Sequence, residues 1–351
     1  MIGVDLFSGA GGMTIGAKQA GVRVHAAVEN DPHAAQTYRA NNPEVQLFAD
    51  DIRKLERLDI PRGPGEPLVV FGGPPCQGFS TSNQRTRSLE NNNNWLYSEF
   101  LRVVKMFTPL PEWIVFENVK GFTETADGVF LQTVISEFEE LGYTVTTQVL
   151  NASHFGIPQR RNRFFAIASL HGHEVRIPQP DEQPVTVAEA FADLPPLEMG
   201  AGLDKLPYRQ DVEPSAYAQQ LRGELVECVG HLVSRNAAGV VQRYAHIPQG
   251  GNWENIPAEL MSNYKDHSRC HTGIYHRLHA ERPSIVIGNY RKNMLIHPTQ
   301  HRGLSVREAA RLQSFPDHFE FKGSIGFQQQ QVGNAVPPML ARAVFDAILS
   351  Y

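Results

Sequence analysis

Short apolar runs recur along the first half of the chain, at residues 2–7, 22–28, 45–48, 68–71 and 113–116, and each gives way to glycine, proline or polar residues. Runs of this length bounded by turn residues predict buried strands. Residues 13–20, closed by Gly21, predict a helix, as do residues 95–107, which set Leu96, Phe100, Val103, Val104 and Phe107 on one face. Residues 143–150 and 163–169 predict an antiparallel pair joined through 151–162. From Ile177 the texture changes, because PQPDEQPV and LPPLEMGAGLDKLPY are rich in proline and glycine. They predict linker and irregular surface, with a short capped helix at 186–194 between them. Regular structure returns at 302–313, where Ser305 and Glu308 have the spacing of a capping box, and in an apolar helix after Pro338.

A chain of 351 residues can bury a large core and is expected to divide into two lobes. With no apolar run of about 18 residues and no charged-then-apolar leader at Met1, neither a membrane span nor secretion is expected. Three cysteines, Cys76, Cys228 and Cys270, form no even disulfide framework, which fits a reducing cytoplasm. The net charge of −5 argues against a uniformly basic nucleic-acid binder but not against a local basic face. Residues 228–303 supply that face, with nine Lys and Arg against four Asp and Glu. Tyr244, Trp253, Tyr264, Tyr275 and Tyr290 are interleaved there with Asn, Gln, Ser and Arg that could read base edges, and Arg235, Arg269 and Arg291 are candidate DNA contacts. His267, Cys270, His271, His276 and His279 match no standard zinc-finger spacing, so no metal is expected.

Candidate chemistry concentrates in the strand-forming half. Leu68 to Phe71 is followed by Gly-Gly-Pro-Pro, which stops the strand and stiffens the turn that presents Cys76. A thiol held there is placed as a nucleophile would be, although free cysteines are more often inert and buried. Ser8-Gly9-Ala10-Gly11-Gly12 forms a glycine loop between the first strand and helix. It misses the dinucleotide fingerprint, because Thr14 stands where the third glycine belongs, so a nicotinamide oxidoreductase is the weaker reading. Such a loop equally lets backbone amides approach the carboxylate of S-adenosylmethionine. Glu29, at the end of the second strand, suits the two hydroxyls of a ribose. Asp51 could accept from an adenine amino group while Ile52 packs on the ring. Glu117, expected just past the strand at 113–116, has a specific use beside a catalytic cysteine if the substrate is cytosine: it could share a proton with N3 and draw charge from a developing carbanion.

PPCQGFS, DLFSGAGG, VEND, ADDIRKL, ENVKGF, the Gln159, Arg161 and Arg163 of a QxRxR pattern, LSVREAARLQSFP and QVGNAVPP together resemble the C5-cytosine DNA methyltransferases of bacterial restriction-modification type. The resemblance spans 2–170 and 300–350, roughly two thirds of the chain. It implies an α/β fold, a Rossmann-like doubly wound sheet of the S-adenosylmethionine-dependent methyltransferases, with a smaller, irregular target-recognition domain. The expected division is 1–175 plus 323–351 for catalysis and 176–322 for recognition. Cys76, Glu117, Arg161 and Arg163 would be catalytic, the two arginines sharing the cytosine O2, a phosphate and the active-site loops between them. Phe7, Gly9, Gly11, Glu29, Asn30, Asp51, Ile52, Pro75, Leu96, Asn334 and Ala335 would hold S-adenosylmethionine. Ser80, Arg85 and Arg87, in the polar stretch 80–94, would close on DNA.

The implied activity is methylation of C5 of a flipped-out cytosine in a specific double-stranded DNA sequence, as the protective half of a restriction-modification or defence system. A restriction endonuclease would be a functional partner without a stable complex, and the enzyme would act as a monomer. A tRNA cytosine-5 methyltransferase and a catalytically silent, DNA-binding regulator are the alternatives.

Overall fold

The wholly buried strands come first and form the centre of a sheet. Ile2–Leu6 (β1) and Leu68–Gly72 (β4) are buried at every residue, as expected of parallel strands covered on both faces. The computed structural model describes residues 1–75, 96–124, 128–180, 183–261, 273–288, 290 and 295–351. These fall into two units, Met1–Phe155 with Asn162–Asp181 and Val336–Tyr351, and Gly156–Arg161 with Glu182–Ala335.

The first unit holds a seven-stranded sheet. Arg23–Val28 (β2) and Gln46–Phe48 (β3) extend it on one side of β1, and Trp113–Val119 (β5), Thr144–Asn151 (β6) and Asn162–Ser169 (β7) on the other, in the order β3-β2-β1-β4-β5-β7-β6. The first five strands run parallel, and β7 is antiparallel to both β5 and β6. The antiparallel pair at 143–150 and 163–169 is therefore present, and the first, second, third and fourth strands lie where the apolar runs predicted them. The strand expected at 113–116 is longer. β4 pairs with β5 only as far as Gly72 against Phe116, but β7 continues the ladder through Glu117 against Phe165 to Val119 against Arg163. Glu117 and Asn118 thus stand on a strand that overhangs its parallel neighbour.

Helices Gly12–Ala20 (α1), Pro32–Asn41 (α2), Leu96–Val104 (α3) and Val129–Glu140 (α4) complete this unit together with the C-terminal helix Pro338–Leu349. On α3, Tyr97, Phe100, Leu101, Val103 and Val104 are buried. Helix α1 lies against the C-terminal helix so closely that a Cβ at Gly16 would come within 2.5 Å of Ala341 Cβ. Only glycine permits that approach.

In the second unit, the short strands Lys205–Pro207 and Glu227–Val229 pair antiparallel amid short helices. The helix Val306–Leu312 carries the predicted capping box, with Ser305 Oγ accepting from Glu308 N at 3.0 Å and Glu308 Oε2 accepting from Ser305 N at 2.8 Å. The same Glu308 receives two hydrogen bonds from the buried Arg302. Arg311, fully buried, bonds Asp193 at 2.5 Å and Asp317 at 2.6 Å, and Tyr208 donates to Asp317 at 2.6 Å. The ten residues Ile325–Asn334 form a helix in this unit, whereas the expected recognition domain ends at 322.

The basic stretch 228–303 is less available to a ligand than its composition implies. Tyr244, Tyr275 and Tyr290 are buried, the first two in a core with Ile247, Ile256, Met261 and Ile296, so they are not a reading surface. Arg277 is also buried and donates to the carbonyls of Tyr244, Ile247, His297 and Gln300. Composition counts charge, but burial decides whether a ligand meets it. Arg235 is exposed, whereas Tyr264, Arg269 and Arg291 lie outside the described residues.

Candidate active site

The glycine loop follows from the end of β1. Phe7, Gly9 and Gly11 take φ of 60°, 56° and 100°, a left-handed course that turns the chain abruptly into α1. Glu29, at the end of the adjacent β2, fastens this turn. Its Oε2 accepts from Gly9 N at 2.7 Å and its Oε1 from Asp31 N at 2.7 Å. Only 8 % of Glu29 is exposed, and burial pushes its carboxyl upward while the two amides pull it back.

Phe7, Glu29, Asn30, Asp51, Ile52, Pro75 and Leu96 line one cleft enclosing about 410 Å³ of open space. Seven predicted residues, six of them from four separate motifs, are therefore brought together. Gly9 and Gly11 are not in its lining; Gly9 is joined to it through Glu29, and Gly11 packs beside Tyr38. Val28, Asp50 and Arg53 complete the wall. Val28 and Arg53 were not singled out in the sequence, although both lie inside the VEND and ADDIRKL motifs. Arg53 donates from Nε and its backbone to Asp51 at 3.0 Å, and this pairing lowers the Asp51 carboxyl to about 2. Asp51 is then an anion and an acceptor at any pH near neutrality. Asn334 and Ala335 lie in the second unit, Asn334 exposed at the last turn of its helix.

A second group of polar side chains stands where β5 overhangs β4. Glu117 Oε1 is 2.9 Å from Nε of Arg163, and the two are 8 % and 9 % exposed. Burial opposes the charge of Arg163 and the neighbouring carboxylate restores it. Asn118 Nδ2 donates to the Pro74 carbonyl at 3.4 Å, and its Oδ1 accepts from Val119 N at 2.8 Å. Asn118 thereby ties the overhang to the Gly-Gly-Pro-Pro turn. A Cβ at Gly73 would collide with the Glu117 carboxylate, which explains a glycine at that point of the turn. Cys76 itself, with Ser80, Arg85 and Arg87, lies outside the described residues, as do His267, Cys270 and His271.

Arg161 differs from Arg163. It belongs to the second unit, is 1 % exposed, and donates to the carbonyls of Ile287 at 2.8 Å and of Gly333 and Ala335 at 3.0 Å. Gln159 beside it donates to Leu312 O and Gln313 Oε1 and accepts from Ile287 N. Both side chains of the QxR part hold backbone. These partners are more than a hundred residues distant, so no local pattern could have indicated them.

A parallel sheet with one reversed strand beside its edge, a glycine loop braced by a buried strand-end acid and an adjacent carboxylate–guanidinium pair define a methyltransferase of the α/β class. The family model described as C-5 cytosine-specific DNA methylase matches residues 1–350, and the chain belongs to that family. The chain is 36% identical to the Type II methyltransferase M1.HphI of Haemophilus parahaemolyticus, covering 99% of this chain and 86% of that protein. It is 33% identical to the Type II methyltransferase M.DdeI of Desulfomicrobium norvegicum, covering 99% and 88%. Among solved structures, a prophage-encoded E. coli protein described as a DNA modification methyltransferase superposes with a TM-score of 0.79 at 26% identity, covering 100% and 99% of the two chains. The protein is a DNA (cytosine-5)-methyltransferase. No helix among the described residues is long and apolar enough to cross a membrane.

Proposed function

We propose that the methyl donor is S-adenosylmethionine, held in the cleft beneath the glycine loop, and that Cys76 is the nucleophile that activates cytosine. Support for the donor comes from the donor and acceptor set of the cleft. Glu29 has lone pairs left for two ribose hydroxyls, Asp51 is a permanent acceptor for an adenine amino group, and Phe7, Ile52 and Leu96 are apolar enough to flank an adenine. The Ser8 hydroxyl in the same loop is buried without a partner among the described residues, as a loop built to receive a polar ligand would leave it. Bound there, S-adenosylmethionine supplies an electrophilic methyl group on a sulfonium.

The remaining chemistry falls to the chain. The Cys76 thiolate adds to C6 of the flipped cytosine, which gives C5 enamine character. Glu117, oriented by Arg163 and by the strand overhang, shares a proton with N3 and withdraws the charge that addition places in the ring. C5 then takes the methyl group, and loss of the C5 proton with β-elimination of the thiolate frees the enzyme. Of the two arginines, Arg163 is assigned to the base and its phosphate, and Arg161 to the loops whose carbonyls it holds.

The similarity to Type II methyltransferases supports a role as the protective half of a restriction-modification system, with a separate endonuclease reading the same DNA. That role implies double-stranded DNA as substrate, a cytoplasmic enzyme and a monomer. The single observation that carries the proposal is the convergence of residues from four separate motifs on one cleft. The test is mass spectrometry of nucleosides from unmethylated DNA incubated with S-adenosylmethionine and the protein, with Cys76→Ser alongside. 5-Methylcytosine from the unmodified protein alone is expected, and equal product from Cys76→Ser would remove the nucleophile.

A further inference from the structure

The glycine loop has a second brace, on the side away from Glu29. Asp5, in the middle of β1, is 1 % exposed, and Thr14 and Tyr38 are fully buried. Thr14 Oγ1 donates to Asp5 Oδ2 at 2.6 Å, and the Thr14 backbone amide also faces the Asp5 carboxyl. With its proton committed to Asp5, the Thr14 hydroxyl accepts from Tyr38, whose Oη is 2.8 Å away. The chain of three runs from β1 through the first turn of α1 to α2.

Its position is informative because of what the helix lacks. The N-cap of α1 is Gly11, which has no side chain to cap with, and its φ is 100°. Asp5 therefore satisfies the first turn of α1 from a neighbouring strand, at Thr14. Tyr38 contributes twice, since its ring lies 3.2 Å from where a Cβ at Gly11 would be. The loop is thus gripped between Glu29, which takes the Gly9 amide, and the Asp5–Thr14–Tyr38 chain, which fixes Gly11 and the helix start.

We propose that Asp5, Thr14 and Tyr38 act together as positioning residues for the methyl donor, holding the glycine loop in its receiving shape. This rests on the assignment of S-adenosylmethionine to the cleft. Both groups that bond the buried Asp5 carboxyl, the Thr14 hydroxyl and the Thr14 backbone amide, are donors, so Asp5 serves the prop as an acceptor.

The experiment compares unmodified protein with Asp5→Asn, Thr14→Val and Tyr38→Phe, measuring S-adenosylmethionine binding by calorimetry and the KM and kcat of DNA methylation at pH 7.5. Asp5→Asn keeps an oxygen that can accept from Thr14, so its donor KM should stay within about threefold of that of the unmodified protein. Thr14→Val should raise the donor KM about tenfold at pH 7.5, the effect of one buried hydrogen bond, with kcat at saturation within about twofold. If Thr14→Val fails to fold, Tyr38→Phe, which removes only the outer hydroxyl, should raise the same KM a few-fold, about the lower end of such effects. A donor KM unchanged by both Thr14→Val and Tyr38→Phe would overturn the prop. Loss of kcat without a change in KM would overturn the positioning role. Absence of binding by the unmodified protein would instead overturn the donor assignment and, with it, the prop's function.

Discussion

Glu117 and Arg163 meet at 2.9 Å because β7 runs antiparallel to β5 and brings Arg163 opposite Val119, just beyond the point where β4 stops. Glu117 is therefore held by a strand overhang, and its partner arrives on the reversed strand of the sheet.

The pair gives the first prediction. Glu117→Gln keeps the size and loses the exchangeable proton, so single-turnover methyl transfer should slow by about a hundredfold or more, within the range of general acid–base effects. DNA affinity, measured by fluorescence anisotropy, should change much less. Equal losses in rate and affinity would mean that Glu117 only holds DNA.

Gly73→Ala tests the overhang without touching either charge. The added Cβ would strike the Glu117 carboxylate, displacing it from Arg163. Methylation should fall at least about tenfold, as a small misplacement at a reacting group commonly produces. S-Adenosylmethionine binding by calorimetry should be unchanged.

Arg311→Ala should be among the most destabilising single changes in the second unit. It leaves Asp193 and Asp317, both fully buried, without their shared guanidinium. Removing one partner of a buried pair costs about 3–5 kcal/mol. Urea unfolding should show a loss of that size, and a loss under about 1 kcal/mol would mean that water replaces the guanidinium.

Acid stability should depend on His297. Burial lowers its pKa to about 4, below the ordinary value of 6.5, although Glu308 lies 3.7 Å away. A group whose folded pKa is depressed contributes stability that is complete above its unfolded value and is lost as pH falls from there through the folded value. The unfolding midpoint should therefore drop between about pH 6.5 and 4, and His297→Gln should flatten that drop. An unchanged slope in the variant would place the titrating group elsewhere, with the buried His231 the next to replace.

The features visible in the sequence are those set by neighbours along the chain. The apolar runs of β1 and β4 read as buried strands because both faces of a parallel strand must be covered, and the Ser305–Glu308 spacing reads as a cap because one helical turn brings those two groups together. Glu29 and Asp51 were recognisable as strand-end acids for the same reason, and only their convergence on one cleft needed the sheet.

Other features depended on partners far away in sequence. Composition made Tyr244, Tyr275 and Arg277 look like a nucleic-acid surface, but each is enclosed in the second unit, with Arg277 bound to four carbonyls. Arg161 is the second of three arginines among residues 160–163 and proved to hold Ile287, Gly333 and Ala335. The chain by itself determined the elements, the glycine loop and the family of chemistry, since these are written in local spacing. Tertiary structure alone decided which charges face a ligand and which are consumed inside, because burial and hydrogen-bond pairing are settled by segments that meet only after folding.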